Sequence, residues 1–425
     1  MISGLIVLVI LAFVALAWWR PPIGLWLIFL LLPTYLVRFD VVSVPTTLLE
    51  VLIYLLAVIF IIKNRRKFLG LIGRALQPIW LPLVFLFLGL TIGVIVTPDL
   101  RLALGILKGW FIDPVILYIL VVNLIDWHKI RHFIFALVLS ILPIGAMALW
   151  QVATNNFITV DGRASAWFVS GNYLSMYLVP VMLLGLILVA DKYRPYKWAT
   201  GAILVVSLVA LFFSYSYGGW LALTAGLIVL GILRSIKSWK LWIGGAIVLA
   251  VAVFTQFGNE KFMRILDLGE KSSFSVRLQV WQTSLLMVKE NWLTGIGLGQ
   301  FRDRYLDFAS RLFSPPLELA ILHAHNLYLQ FWINTGLIGL VGLVWLIIKF
   351  FAWLKSNISL QSAILASAMV SILAHGLLDT TYWKNDLSAL FWIIIALAFL
   401  QHQELSGNLD NFFKSKFCKV SSEEK

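Results

Sequence analysis

Apolar runs of about 17 to 25 residues recur along nearly the whole chain, and that is the length a helix needs to cross the hydrocarbon of a bilayer. They lie near 2–19, 23–37, 47–62, 78–97, 104–124, 132–153, 172–190, 197–214, 217–233, 241–257, 326–349, 358–378 and 386–401. A water-soluble globule has no interior for so much apolar side chain. Hydrophobic residues make up 61% of the sequence and charged residues 12%, against about 25% charged in an ordinary soluble chain. The same excess excludes a disordered chain. The alternating ten-residue pattern of an outer-membrane barrel is absent. The expected fold is an all-α polytopic membrane protein with about 12–13 transmembrane helices. The run 2–19 lacks a basic start and a small-residue cleavage site, so it reads as a membrane helix rather than a signal peptide.

The net charge of +13 sits in short loops between the runs, where it sets topology and meets headgroups, so no nucleic-acid partner is expected. Lys63, Arg65, Arg66, Lys67 and Arg74 form the strongest cluster. Lys129 and Arg131, Lys192 and Arg194, Arg234 and Lys237, and Lys349 and Lys355 follow at every second loop. This alternation assigns those loops to the cytoplasm. Four parts are expected: transmembrane helices over 1–257, a large extracytoplasmic loop over 258–324, transmembrane helices over 325–402, and a cytoplasmic tail over 403–425. The loop is far longer than an ordinary connection. Its segment Ser275 to Asn291 mixes apolar and polar residues as a helix on the membrane surface would. The single Cys418 allows no internal disulfide.

Polar residues on the outward side form a short set. His325 and Asn326 stand where the loop enters the next run, Arg277 opens the loop helix, Arg163 follows Asp161-Gly162, Asp379 ends the next-to-last run, and Tyr217 belongs to a short outer turn. A neutral imidazole beside guanidinium groups suits a general base, because nearby cations disfavour imidazolium. The same guanidiniums can clamp a pyrophosphate and stabilise charge on a departing group. His323 and His325 also make a His-x-His pair, but two ligands without a placed third are weak, and no metal and no cofactor are expected. Gly295, Gly297 and Gly299 lack the preceding strand of a dinucleotide fingerprint and read as a turn.

HAHNLYLQFWINTG (His323 to Gly336), RLQVWQTSLLMVKENWLTGIGLGQF (Arg277 to Phe301), GRASAWFVSGNYLSMYL (Gly162 to Leu178) and HGLLDTTYW (His375 to Trp383) resemble segments of the O-antigen ligase and polymerase family of bacterial surface-polysaccharide enzymes. The resemblance covers roughly Gly162 to Trp392, and its histidine segment is the most specific part. It implies a GT-C-like glycosyltransferase of the bacterial inner membrane with its active site facing the periplasm or cell exterior. A glycan on a polyprenyl (undecaprenyl) pyrophosphate would pass to an acceptor hydroxyl on a glycan or glycolipid, without metal and with inversion. By carry-over His325 is the catalytic base, Arg277 holds the pyrophosphate, and Arg163, Asp379, Asn326 and Tyr217 belong to the substrate site. One position departs from the pattern. The family often has Ser-Arg-Gly where this chain has Ser216-Tyr217-Gly218, and a phenol cannot replace a guanidinium fork. Either Arg163 or another cation supplies that charge, or the pyrophosphate is held differently. The alternative is a transporter or flippase for a polyprenyl-linked glycan, which would need polar groups near mid-membrane.

Overall fold

A computed structural model describes residues 2–41, 44–159, 161–190, 194–234, 273–355 and 358–423. The described chain is helical almost throughout. The helices are α1 (Ile2–Trp19), α2 (Pro21–Leu30), α3 (Leu48–Asn64), α4 (Phe68–Leu76), α5 (Trp80–Val96), α6 (Leu100–Leu107), α7 (Asp113–Leu124), α8 (Ile130–Thr154), α9 (Gly171–Ala190), α10 (Arg194–Phe213), α11 (Tyr217–Leu233), α12 (Ser273–Glu290), α13 (Phe301–Ala309), α14 (Leu327–Lys355), α15 (Leu360–His375) and α16 (Asn385–Glu423). Among the described residues, seven helical stretches are long and apolar enough to cross a membrane, and the four shorter apolar helices are Gly4–Trp19, Pro21–Leu30, Tyr217–Leu233 and Leu360–His375. The expected span 241–257 and residues 258–272 of the expected loop lie outside the described residues.

Two expected spans are interrupted. The run 23–37 stops as an α-helix at Leu30 and continues as a 3-10 turn, Leu32–Leu36. The run 104–124 is broken by a π-helical turn, Lys108–Ile112, between α6 and α7, a distortion frequent at functional sites. A small antiparallel hairpin, β1 (Arg38–Val41) with β2 (Val44–Thr47), pairs Arg38 with Thr47 and Val41 with Val44. It precedes α3, whose Thr47 cap accepts from the Glu50 amide.

The basic loops and the loop carrying His325 occupy opposite ends of the helices. At one end Arg74 bonds Gln403 at 3.0 Å, Trp26 donates to the His132 carbonyl, and Gln401 reaches Ser359 and Ser362. At the other end lie the hairpin, residues 97–101, 155–159, 161–170 and 214–216, α12 and α13, and the turn 376–384. The helix expected on the membrane surface starts at Ser273 and packs Val280, Met287 and Val288 with Phe301, Tyr305 and Phe308 of α13 into a small core of its own. Phe274, Leu278 and Leu285 remain exposed on one stripe of α12.

Small residues set the closest helix approach. A Cβ on Gly89 of α5 would fall 2.4 Å from the Gly339 backbone of α14, and one on Gly342 would fall 2.4 Å from the Leu86 nitrogen. Such contacts let membrane helices pack backbone to backbone. The Gly-rich segment after α12 is a turn fitted under α14, with the Ile296 amide donating to the Ile333 carbonyl at 2.8 Å and the Gly299 amide to Asn334 Oδ1 at 2.7 Å.

Candidate active site

His325 sits just before α14 in the left-handed backbone region, φ 47°. A non-glycine residue persists there only when its surroundings over-determine it, and here they do. The Ala324 amide donates to Gln330 Oε1 at 2.7 Å, and Trp281 of α12 donates to the His325 carbonyl at 3.2 Å. Asn326 caps α14 by accepting from the amides of Tyr328 and Leu329, both at 3.0 Å, while its Nδ2 donates to the Leu377 carbonyl. The Leu327 amide donates to the Gly376 carbonyl at 2.7 Å. The polar capacity of Asn326 is thereby used in holding the two loops together.

The turn after α15 brings Asp379 to this point. Its side chain is 5% exposed, against 26% for His325. Asp379 Oδ1 lies 3.4 Å from His325 Nδ1 and 3.8 Å from His323 Nδ1. The Thr380 amide donates to Oδ1 at 2.9 Å, and Asn172 Nδ2 donates to Oδ2 at 3.0 Å. Burial pushes the carboxyl up, but the interaction with His325 and the field of the imidazoles outweigh it and hold Asp379 below the usual carboxylate range. It is therefore an anion at neutral pH. His323 stacks edge-on against His325 with ring centroids 4.3 Å apart, and its Nε2 meets the Tyr173 hydroxyl at 3.2 Å. Burial pushes His323 down to about 4, with the neighbouring His325 adding to the effect, so its ring is neutral at pH 7. His375 ends α15 fully buried, packed so close to α11 that a Cβ on Gly218 would fall 2.5 Å from its Nε2. The Nδ1 atoms of His323, His325 and His375 are buried without a hydrogen bond.

Two guanidiniums complete the group. Arg277 Nε donates to the Leu378 carbonyl at 3.2 Å, which sets its guanidinium beside the Asp379 turn. Burial pushes Arg277 down from its ordinary value; Asp379 opposes this and the like charge of Arg163 adds to it. Arg163 pairs with Asp161 and donates to Asn172 Oδ1 at 3.4 Å. Asn172 thus bridges Arg163 and Asp379. Tyr217, at the start of α11, lies within the field of Arg163.

The structure therefore brings His325, Asp379, Arg277, Arg163 and Tyr217 to one end of the helices, and Asn326 beside them. From the sequence, His323 reads only as half of a metal pair, and His375, Asn172 and Tyr173 only as members of the family-like segments. No spacing signal points to them, because their partners are up to 207 positions away. Among the described residues, the ligand atoms of His323, His325 and Asp379 all lie within 4.8 Å of one another, a set able to chelate a cation. A cation there would occupy the imidazole nitrogens that otherwise face the carboxylate. Without one, the arrangement is an imidazole oriented by a buried anion, next to two cations.

Comparison with known proteins gives two matches. Residues 202–344 match the family described as O-antigen ligase, a stretch that contains Tyr217, Arg277 and His325 but neither Arg163 nor Asp379. The chain is also similar to an O-antigen ligase of Salmonella typhimurium, 24% identical over 349 residues that cover 77% of this chain and 82% of that relative.

Proposed function

We propose, from membership of the O-antigen ligase family that both matches support, that this multi-pass membrane protein transfers a glycan from a polyprenyl pyrophosphate to an acceptor hydroxyl on the outer face of the inner membrane. The observation that carries this reading is the strained His325, with Nδ1 3.4 Å from the buried Asp379 carboxylate. Asp379 favours the proton on Nδ1 and leaves the lone pair on Nε2. The acceptor hydroxyl gives its proton to Nε2, its oxygen bonds the anomeric carbon, and the bond from that carbon to the phosphate oxygen breaks. The electron pair leaves with the pyrophosphate, whose charge Arg277 and Arg163 meet. Displacement from the face opposite the leaving group inverts the anomeric centre. Tyr217, in place of an arginine, contributes a hydroxyl and no charge, so Arg163 is the second cation. His323 stays neutral, and it and the buried His375 shape the pocket.

The test is transfer of a radiolabelled lipid-linked glycan in membranes containing His325→Ala. Loss of general-base catalysis predicts a fall of roughly 10²–10⁴-fold, with a normal thermal transition of the purified variant. Transfer at the wild-type rate would remove His325 from the reaction.

A further inference from the structure

Beyond His323 lies a cavity of about 400 Å³ that Arg277 and Arg163 do not line. Its size falls within the roughly 300–1,000 Å³ range of small-ligand sites. Its charged lining consists of Arg38, Arg302 and Lys384, with no carboxylate. Lys384 is held in a cage of rings, its Nζ 3.9 Å from the Tyr173 centroid, 4.9 Å from Phe168 and 5.0 Å from Tyr35. Rings attract the ammonium; the buried carboxylate of Asp386, which does not line the cavity and is not within ion-pair distance, offsets part of its charge. Among the described residues, the Lys384 side chain makes no hydrogen bond and no ion pair. Two further donors of the wall, the Tyr35 hydroxyl and the Trp383 indole N–H, are buried without an acceptor. The cavity is thus rich in donors and cations and poor in acceptors. Trp110, Trp383 and Tyr173 supply flat apolar faces of the kind that pack against sugar rings. Tyr173 joins the cavity to the reacting group, since its hydroxyl meets His323 and its ring faces Lys384.

We propose that this cavity is the acceptor subsite and that it receives a sugar carrying an anionic substituent, a carboxylate or a phosphate, met by Lys384 with Arg38 and Arg302. The assignment rests on the transfer reaction proposed above and specifies its acceptor. The donor pyrophosphate belongs to Arg277 and Arg163, which do not line this cavity. A second cavity of about 680 Å³ shares Arg38, Leu102, Ile106 and Trp110 with the first, so the groove continues for further sugar units.

Binding to the full chain in phosphatidylcholine nanodiscs tests this without requiring turnover. The probes are digalacturonate, glucose 6-phosphate, neutral maltose and inorganic pyrophosphate. The wild type is expected to bind one of the acidic sugars at least about tenfold more tightly than maltose, the scale of a charge-assisted contact. A preference for digalacturonate assigns the carboxylate, and one for glucose 6-phosphate the phosphate. Lys384→Met should abolish the preference and leave maltose and pyrophosphate binding unchanged. Lys384→Arg should restore it, and Arg38→Gln, at an exposed position, should weaken it. His325→Ala should keep the preference, so active transfer by that variant would sink the reaction while leaving the subsite standing. An acidic-sugar preference absent from the wild type, or unchanged in Lys384→Met, overturns the subsite. So does loss of pyrophosphate rather than sugar binding, which would make Lys384 part of the donor site. Loss of the preference in phosphatidylglycerol discs would reassign the cavity to lipid headgroups and overturn it as well.

Discussion

Around His325, the backbone strain and the side-chain chemistry share one set of supports. The contacts from Trp281, Gln330 and Asn326 that hold φ at 47° also aim the ring at Asp379. Three predictions belong at this scale. Arg277→Lys replaces a planar fork with a point charge, so initial rates of transfer should drop by about tenfold or more at saturating acceptor; an unchanged rate would make Arg277 a headgroup anchor. His323 is held at about 4 when folded, against 6.5 for the free group. Its contribution to stability is therefore complete above pH 6.5 and is lost as pH falls toward 4, on the order of 3 kcal/mol across that window. Tryptophan fluorescence melts at pH 7.5 and pH 5 should show a smaller acid destabilisation in His323→Gln than in the wild type. Equal losses would mean that His323 does not titrate there. The chelating geometry of His323, His325 and Asp379 makes a third expectation specific. Transfer should survive EDTA, and added Zn²⁺ should inhibit it by tying up the imidazoles. His323→Gln should relieve that inhibition, whereas inactivation by EDTA would assign the cluster to a working metal. His325 was legible from its His-Asn segment at the entry to a long apolar run; arginine and aspartate alone single out nothing, since the expected loop already holds Arg264, Arg277, Arg302, Arg304 and Arg311. Lys384 was not legible: in sequence it is one more loop lysine, and only three surrounding rings set it apart.

Helix α14 shows how an element carries the site. Gly336 interrupts it at φ 64° and ψ −175°, and a Cβ there would fall 2.0 Å from the Leu293 carbonyl oxygen. That backbone region is essentially restricted to glycine. The kink lets α14 receive the Gly-rich turn after α12 and so docks the loop that holds Trp281 against His325. Gly336→Ala should cost about 1–3 kcal/mol and should lower both the melting temperature and the transfer rate. A variant with wild-type melting would show that the kink is not needed. Apolar run length announced the helices, and the loop helix was expected at nearly its observed bounds. The paired strands β1 and β2 and the π turn at 108–112 left no such mark. Both lie where polar contacts from distant segments decide the backbone. Lys108, Asn385 and Thr46 converge on Glu50, and Tyr382 donates to the Trp110 carbonyl.

For the molecule as a whole, the proposed orientation follows from the two unlike ends of the helices, one basic and one carrying the imidazole group. The chain contains a single cysteine, Cys418, which makes the orientation testable. A membrane-impermeant maleimide added to intact spheroplasts should label Ser310→Cys in a Cys418→Ser background. It should label Cys418 of the wild type only after permeabilisation; the reverse pattern would put the site in the cytosol and end the proposed reaction. Polar groups gathered at one end, rather than at mid-membrane, favour an enzyme over a flippase. Residue order along the chain was enough to establish a membrane-embedded helical protein, because long apolar runs crossing lipid must satisfy most of their backbone hydrogen bonds within the helix itself. It also supplied the scarce polar residues from which a site can be built. The pairing of His325 with Asp379, the bridge from Arg163 through Asn172, and the caged Lys384 came from packing. These contacts join segments far apart in the chain, and their distances depend on how closely small residues let the helices approach, which no local pattern encodes.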